Sequence, residues 1–329
     1  MSETPFRIQH DDAGTQFVVS AAGTDLATYV YRPDTPLEES PKPYIYPLRT
    51  LSGASVGVYR PWDHRWHKGL QMTWSHLSGD NFWGGPTFRQ GAPGHGYVWR
   101  ENHGRQVHRT FDRQDVGGSE VSVVQGLDWV ASSDETWIDE TRTLRFHSAD
   151  TGDGVWALDF TTALANVHHK PLRMGSPTTH GRPDAGYTGL FWRGPRAWTG
   201  ADVIADGGHE GDAVMGTRGA WAAITGEHDE LDGGATVLAY AGLPGPRSGS
   251  DRMWPSSWTT MREGLYSWAS PTSRYTHPRP APLMLTWDWT PLAVLYSMTR
   301  SGAGVSCSTN LIDGTAVFQI SIASRAASV

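Results

Sequence analysis

Apolar and polar residues alternate along many short segments of the chain, and this alternation is typical of strands with one buried face. In the segment ETWIDETRTLRFHS, one face carries Ile138, Leu144 and Phe146. In VWALDFTTAL, Trp156 and Phe160 share a face in the same way. Further runs of this kind are TQFVVSAAG, DLATYVYRP, EVSVVQGLDWV, WAAITGEH and ATVLAYAGLPGP. Glycine, proline, aspartate or asparagine bounds each run, so the pattern predicts many short strands.

No segment of a dozen residues has the apolar period of a helix, and the 38 glycines and 21 prolines leave little room for one. Many strands with frequent turns predict an all-β protein, a large antiparallel β-sandwich. The polar, proline-rich segment 33–43 separates two strand patterns, and we interpret it as a loop. We therefore predict a single β-sandwich domain over residues 1–329.

Composition narrows the choice of partners and compartment. The formal net charge is −7 and no Lys/Arg cluster is present, which argues against a nucleic-acid partner. No run of about 18 apolar residues exists, so no membrane span is predicted. The segment MSETPFRIQHDDAG has no basic and apolar signal pattern. The only cysteine, Cys307, cannot form an internal disulfide. The predicted location is therefore the cytoplasm.

The segment RPWDHRWHKGLQMTWSHLSGDNFWGG concentrates three histidines, four tryptophans, two aspartates and a lysine. His64 and His67 converge if these residues form a turn that leads into a strand. Beyond the turn, alternation places Gln71 on the face of His67, and Trp74 on the face of Lys68. Histidine exchanges a proton near neutral pH, and a neighbouring carboxylate such as Asp63 fixes its tautomer. The pattern indicates general acid–base chemistry.

A second rich segment is HGRPDAGYTGLFWRGP, which contains His180, Arg182, Asp184, Trp192 and Arg193. Its glycines allow close approach of the backbone to a ligand, and an arginine fork binds a carboxylate or hydroxyls.

A third candidate is Glu140, which shares the Ile138 face with Arg142. A buried charge must be paired, so the pattern predicts either an internal ion pair or a catalytic carboxylate.

The chain has 16 tryptophans, and we predict that Trp66, Trp74 and Trp192 stack on a sugar ring. No phosphate-binding loop, dinucleotide fingerprint or HExxH motif is present, so we predict no cofactor and assign no metal. A metal site built from His64, His67 and a third ligand such as His180 stays open.

Five segments resemble the bacterial family known as methane oxygenase PmoA-like. They are KPYIYPLRTLSGASV, the 60–85 segment above, HGRQVHRTF, ETWIDETRTLRF and GRPDAGYTGLFWRGPRAW, within residues 26–195. The chain lacks a membrane span, which excludes the hydrophobic methane monooxygenase subunit that the family name suggests. The resemblance implies a role in sugar catabolism and a β-supersandwich similar to galactose mutarotases.

The resemblance also implies a set of polar site positions. They are Arg49, Asp63, His64, His67, Asn81, Glu140, Asp184 and Arg193. Lys68 stands where this family usually has another histidine, which weakens a site with three histidines. The chain departs further after about residue 267, and we place no site residues there.

These observations predict an enzyme that acts on a carbohydrate ring or a glycosidic bond, of hydrolase, epimerase or lyase type. A histidine among His64, His67 and His180 donates a proton, and a carboxylate from Asp63, Asp184 or Glu140 accepts one or orients the donor. The predicted substrate-binding residues are Arg49, Trp66, Lys68, Gln71, Trp74, Asn81, Arg182, Trp192 and Arg193. The alternatives are a metal-dependent enzyme with His64 and His67 as ligands and a non-catalytic sugar-binding module. The expected partner is a small carbohydrate or glycoside, and oligomeric state is left open.

Overall fold

The protein is all-β, as predicted. The computed structural model describes residues 4–93, 96–183, 185–215, 217, 219–229, 231–242, 257–262, 283–288, 294–301, 304–311 and 313–325. The only helices in these ranges are five short 3₁₀ turns: Leu37–Glu39, Thr178–His180, Arg196–Trp198, Asp206–Gly208 and Gly211–Val214. None of these turns has the length and apolarity needed to cross a bilayer.

The described residues form 23 strands. The first twelve are β1 (Phe6–His10), β2 (Gln16–Ala21), β3 (Thr24–Val30), β4 (Tyr44–Leu48), β5 (Leu70–Thr73), β6 (His76–Leu77), β7 (Thr87–Phe88), β8 (Tyr97–Val98), β9 (Arg105–Gly117), β10 (Glu120–Val130), β11 (Thr136–Asp150) and β12 (Val155–Asn166). The others are β13 (Leu172–Gly175), β14 (Gly189–Arg193), β15 (Asp202–Ala205), β16 (His209–Glu210), β17 (Trp221–Glu227), β18 (Gly234–Gly242), β19 (Ser257–Arg262), β20 (Leu283–Asp288), β21 (Val294–Ser301), β22 (Gly304–Leu311) and β23 (Asp313–Arg325).

Two large antiparallel sheets form a β-sandwich. One has eight strands in the order β1-β2-β3-β4-β5-β14-β20-β19, and the other has nine in the order β16-β15-β17-β18-β23-β12-β11-β10-β9. A four-stranded sheet, β21-β22-β13-β6, and the β7–β8 hairpin complete the described part. The alternating segments of the sequence are these strands: ETWIDETRTLRFHS lies in β11, and VWALDFTTAL in β12.

The inner faces of both large sheets contribute to one apolar core. Ile138, Leu144 and Phe146 are buried on the inner face of β11, as their alternation predicts. Glu140 and Arg142 lie on that same face with no exposed side-chain surface, and Nε of Arg142 is 2.8 Å from Oε1 of Glu140. The internal ion pair that the sequence left open is therefore present.

Strand pairing brings distant segments together at the centre of the eight-stranded sheet. β5 lies between β4 and β14, so Gln71 is paired with Tyr44 on one side and with Phe191 on the other. The turn that precedes β5 and the strand that contains Arg193 are consequently neighbours. This pairing positions the two histidine- and arginine-rich segments next to each other.

Candidate functional site

Residues 60–67 form a compact turn between β4 and β5. The amide of Arg60 donates to the carbonyl of His67, the amide of His64 donates to that of Pro61, and the amide of His67 donates to that of His64. The backbone of β14 fixes the base of the turn, because Val58 N–H donates to the carbonyl of Arg193. Because of this turn, the side chains of His64 and His67 converge, as expected for a turn that leads into a strand.

The two imidazoles belong to a group of rings that we call the imidazole cluster: His64, Trp66, His67, Trp83 and Phe191. The rings of His64 and His67 are stacked with centroids 4.8 Å apart. The ring of His67 also lies 4.7 Å from Phe191 and 5.6 Å from Trp83, and the ring of His64 lies 5.1 Å from Trp66. The cluster joins titratable groups to aromatic surface.

His67 is buried and neutral. Its Nδ1 lies 3.3 Å from Nη1 of Arg193, which donates to it, so the ring proton is assigned to Nε2. Burial, with the charge of Arg193 next in size, lowers the pKa of His67 well below its usual value. His67 is only 2% exposed and Arg193 is fully buried, so this pair supports the cluster from within the protein.

His64 is the partly exposed histidine of the turn, with 19% of its side chain accessible. Its Nδ1 lies 3.6 Å from Oδ2 of Asp63, whose other carboxylate oxygen accepts from Arg196. Burial raises the pKa of Asp63, but the nearby imidazole of His64 and the charge of Arg196 outweigh it and hold that pKa well below its usual range. Asp63 is therefore a carboxylate that orients His64.

The loop 81–85 holds Trp83 against His67. Oδ1 of Asn81 accepts from the amides of Trp83 and Gly84, both at 2.9 Å, and its Nδ2 donates to the carbonyl of Gly85. The Trp66 indole packs on the two glycines, because a Cβ built on Gly85 would lie 2.5 Å from that ring. The side-chain amide of Asn81 is thus occupied in shaping the loop and is not presented to a ligand.

Tyr97 connects the second rich segment to the cluster, and the sequence analysis did not identify it. Its hydroxyl accepts from Arg182 and lies 2.7 Å from the hydroxyl of Tyr187, whose ring contacts Trp83 at 4.9 Å. Beyond Tyr97 on the same segment, Trp99 is 59% exposed and its ring lies 6.2 Å from Trp66. In the sequence, these two aromatic residues are marked only by the segment GYVW, which does not show which other rings they contact.

His180 is exposed and fixed at one nitrogen. Its Nδ1 donates to the carbonyl of Ser176 over 2.9 Å, which leaves Nε2 as the nitrogen that accepts a proton. Its ring stacks at 4.1 Å on His76, which is only 6% exposed. Burial, followed by the charge of His180, lowers the pKa of His76 to about 3.

Four charged residues at the base of the turn form what we call the buried cation group: Glu39, Lys42, Arg60 and Lys68. The Glu39 carboxylate accepts three hydrogen bonds from Nε and Nη2 of Arg60, the shortest at 2.6 Å, and lies 3.0 Å from Nζ of Lys68. Glu39 and Lys42 lie in the 33–43 segment, which was predicted as a loop, and they were not among the predicted site residues. Lys68, predicted to bind substrate, is fully buried in this group.

The other predicted residues lie in several places. Gln71 is buried with its Nε2 donating to the carbonyl of Trp66. Trp74 and Trp192 lie in the apolar core, where their large rings fill space between the sheets, so the prediction that they stack on a ligand is corrected. Arg49 donates to the carbonyl of Gly53 in a separate turn. Asp184 lies outside the described residues.

Glu140 makes its contacts away from the 60–67 turn. Its oxygens accept from Arg142, from Nε1 of Trp129 at 2.7 Å and from Oγ1 of Thr162 at 2.9 Å. It is fully buried, so its carboxylate is paired inside the sandwich and is not offered to a substrate. Among the described residues, no group of three or more His, Cys, Asp or Glu side chains is arranged to hold a metal ion.

Comparison with known proteins identifies a family for the chain. A search of curated proteins finds no match to the chain. A family model, described as a family of unknown function, DUF6807, matches residues 16–278, which contain every residue of the turn, the imidazole cluster and the buried cation group. Since this match covers well over half of the chain, the protein belongs to the DUF6807 family.

Proposed function

We propose that the protein binds a carbohydrate at the 60–67 turn and catalyses acid–base chemistry on the sugar ring or its glycosidic bond. The observation that carries this proposal is the position of His64, a partly exposed imidazole between the Asp63 carboxylate and the Trp66 indole. A titratable donor next to aromatic surface is the combination that a polar ring requires. The resemblance of five segments to the PmoA-like family, associated with bacterial sugar catabolism, supports the choice of substrate.

His64 is the proton-transferring group in this proposal. The carboxylate beside Nδ1 favours a proton on that nitrogen, so Nε2 exchanges the proton with a ring or leaving-group oxygen. His67 orients the turn through Arg193 and keeps its own proton on Nε2. Hydrolysis, epimerisation and elimination all need this proton transfer, and the proposal covers these three classes.

Aromatic and polar groups at the rim bind the substrate. The exposed indole of Trp99 provides a flat apolar face, and it is held beside Trp66. Arg182 is fixed against Tyr97, both by a hydrogen bond and by its position 5.2 Å above the Tyr97 ring. A guanidinium fixed in this way binds vicinal hydroxyls without losing further conformational freedom.

The test is product formation from a panel of mono- and disaccharides, followed by NMR, with the wild type and the His64→Asn variant. We expect the variant to lose about 10²–10⁴-fold in kcat/KM with little change in melting temperature. The matched control is His209→Asn, which replaces a half-exposed histidine on β16 in the other large sheet. If a sugar binds but no product forms, the protein is a binding module and not an enzyme. Equal rates for the two variants would exclude His64 from the chemistry.

A further inference from the structure

The buried cation group contains three cations and one carboxylate. Lys42, Lys68 and Glu39 have at most 3% of their surface exposed, and Arg60 is partly exposed. Removing a charge from water is unfavourable unless an opposite charge or several hydrogen bonds replace the water. The ratio of charges in this group therefore needs an explanation.

The hydrogen bonds of Lys42 fit an ammonium group. Its Nζ lies 2.9 Å from the carbonyl of Glu39, 2.8 Å from that of Ser40 and 2.9 Å from that of Trp83. An ammonium has three protons for these three acceptors, whereas a neutral amine has two. Burial, followed by the charge of Lys68, lowers the pKa of Lys42 well below its usual value, and the charge of Glu39 opposes this change.

Glu39 is shared between the other two cations. Burial raises its pKa, but Arg60 and Lys68 outweigh this effect and keep it below the usual value, so Glu39 is ionised. Burial lowers the pKa of Lys68 to about 8 in spite of Glu39. The Glu39 carboxylate thus contacts two cations, Arg60 and Lys68, while Lys42 binds carbonyl oxygens, so the group has an excess of positive charge.

This excess lies directly below the proposed site. Lys42 binds the carbonyl of Trp83, a member of the imidazole cluster, and a Cβ on Gly84 would lie 2.6 Å from both the Glu39 carbonyl and Cβ of Trp66. Lys42 and Lys68 are both among the charges that lower the pKa of His67. The charge of this group is thus opposite in sign to the net charge of −7 of the whole chain.

We propose that the substrate carries an anionic group, a carboxylate or a phosphate, which binds at the 60–67 turn above the buried cation group. This inference rests on the proposed function for the location of the site, and it adds the chemical class of the substrate. An anion there offsets the excess charge through a medium of low dielectric constant, where Coulomb interactions are strong. A neutral sugar gains nothing from these cations.

The first experiment compares D-glucose, D-glucuronate and D-glucose 6-phosphate, and the matching galactose set, by isothermal titration calorimetry. We expect an anionic member to bind at least tenfold more tightly than its neutral parent, with an affinity that falls as salt is raised. The two anionic arms distinguish a carboxylate from a phosphate. Equal or tighter binding of the neutral sugars, or binding of no sugar in either set, would overturn the inference.

Two variants change the charge in opposite directions. Lys68→Met removes one positive charge and should weaken binding of the preferred anion, whereas Glu39→Gln removes the carboxylate and should strengthen it, each by about tenfold. Structural damage would weaken binding in both, and a shift in the same direction would count against the inference. The control is Arg109→Gln, an ion-paired arginine on β9 of the other large sheet. Anion binding without turnover would contradict the proposed function alone, and turnover of neutral sugars without anion preference would contradict the inference alone.

Discussion

Nη1 of Arg193 lies 3.3 Å from Nδ1 of His67, although the two residues are 126 positions apart in the sequence. A guanidinium has only donors, so this contact requires a lone pair on Nδ1 and disfavours protonation of the ring. Between the two histidines of the turn, His67 is thus the one held neutral by its contacts, and the proposed function assigns the proton transfer to His64.

The first prediction concerns the protonation of His67. We expect its imidazole to stay neutral, as the Nε2–H tautomer, from pH 8 down to pH 5, because burial and Arg193 lower its pKa. Nitrogen-15 NMR of the imidazole side chains measures this directly. A His67 signal that titrates with a midpoint near 6.5 would contradict the assignment.

The second prediction concerns the pH dependence of stability. Burial lowers the pKa of His76 to about 3, whereas in the unfolded chain the ring binds a proton near pH 6.5. Below that pH the unfolded state holds more protons than the folded state, so the free energy of unfolding falls on acidification, by up to about 1.4 kcal/mol per pH unit. The His76→Phe variant should show a shallower fall in urea titrations at pH 7, 6 and 5. His209→Phe serves as its control, and identical slopes for His76→Phe and the wild type would refute the account.

The third prediction concerns the glycines beneath Trp66. Gly85 has a φ of +71°, and a Cβ there would lie 2.5 Å from the indole, whereas Gly79 has a φ of +102° with nothing within 4 Å. Alanine is strained at both positions, but only Gly85→Ala also displaces Trp66. We expect Gly85→Ala to lose about 1–3 kcal/mol more than Gly79→Ala and to change the tryptophan fluorescence. Equal losses would mean that the indole moves freely.

The fourth prediction concerns the ion pair between the sheets. Arg142→Met leaves the Glu140 carboxylate buried without its cation and also removes the bond to the Tyr29 hydroxyl. We expect a loss of about 3–5 kcal/mol in denaturant titrations. The double variant Glu140→Gln/Arg142→Met removes the buried charge as well and should be more stable than the single variant. If it is less stable, the uncompensated charge is not the cause.

The local alternation of apolar and polar residues was sufficient to predict strands of the sandwich such as β11 and β12. Alternation in β11 and β12 indicates which side chains point inward, because successive residues of a strand face opposite sides. It also identified Glu140 and Arg142 as an inward pair. Whether such a pair is catalytic or structural depends on Trp129 and Thr162 from neighbouring strands, and no single segment contains that information.

The candidate functional site could be predicted only in part from the sequence. The 60–67 turn and Arg193 could be selected by composition, since charged and aromatic residues are rarely so dense. Lys42 could not, because its burial depends on the carbonyl of Trp83, 41 residues further along the chain. Trp74 and Trp192 were selected although they lie in the core. The sequence alone does not show whether a tryptophan ring fills a core or contacts a ligand.

The pairing of β5 with β14 has a consequence for biosynthesis. The tryptophan-rich segment leaves the ribosome more than a hundred residues before the strand that covers it, since Gln71 must wait for Phe191. Until then its indoles face solvent in a nascent chain, where exposed aromatic surface promotes aggregation. Fast translation of the intervening hairpins would shorten this interval, and a chaperone that binds aromatic segments would protect the chain during it.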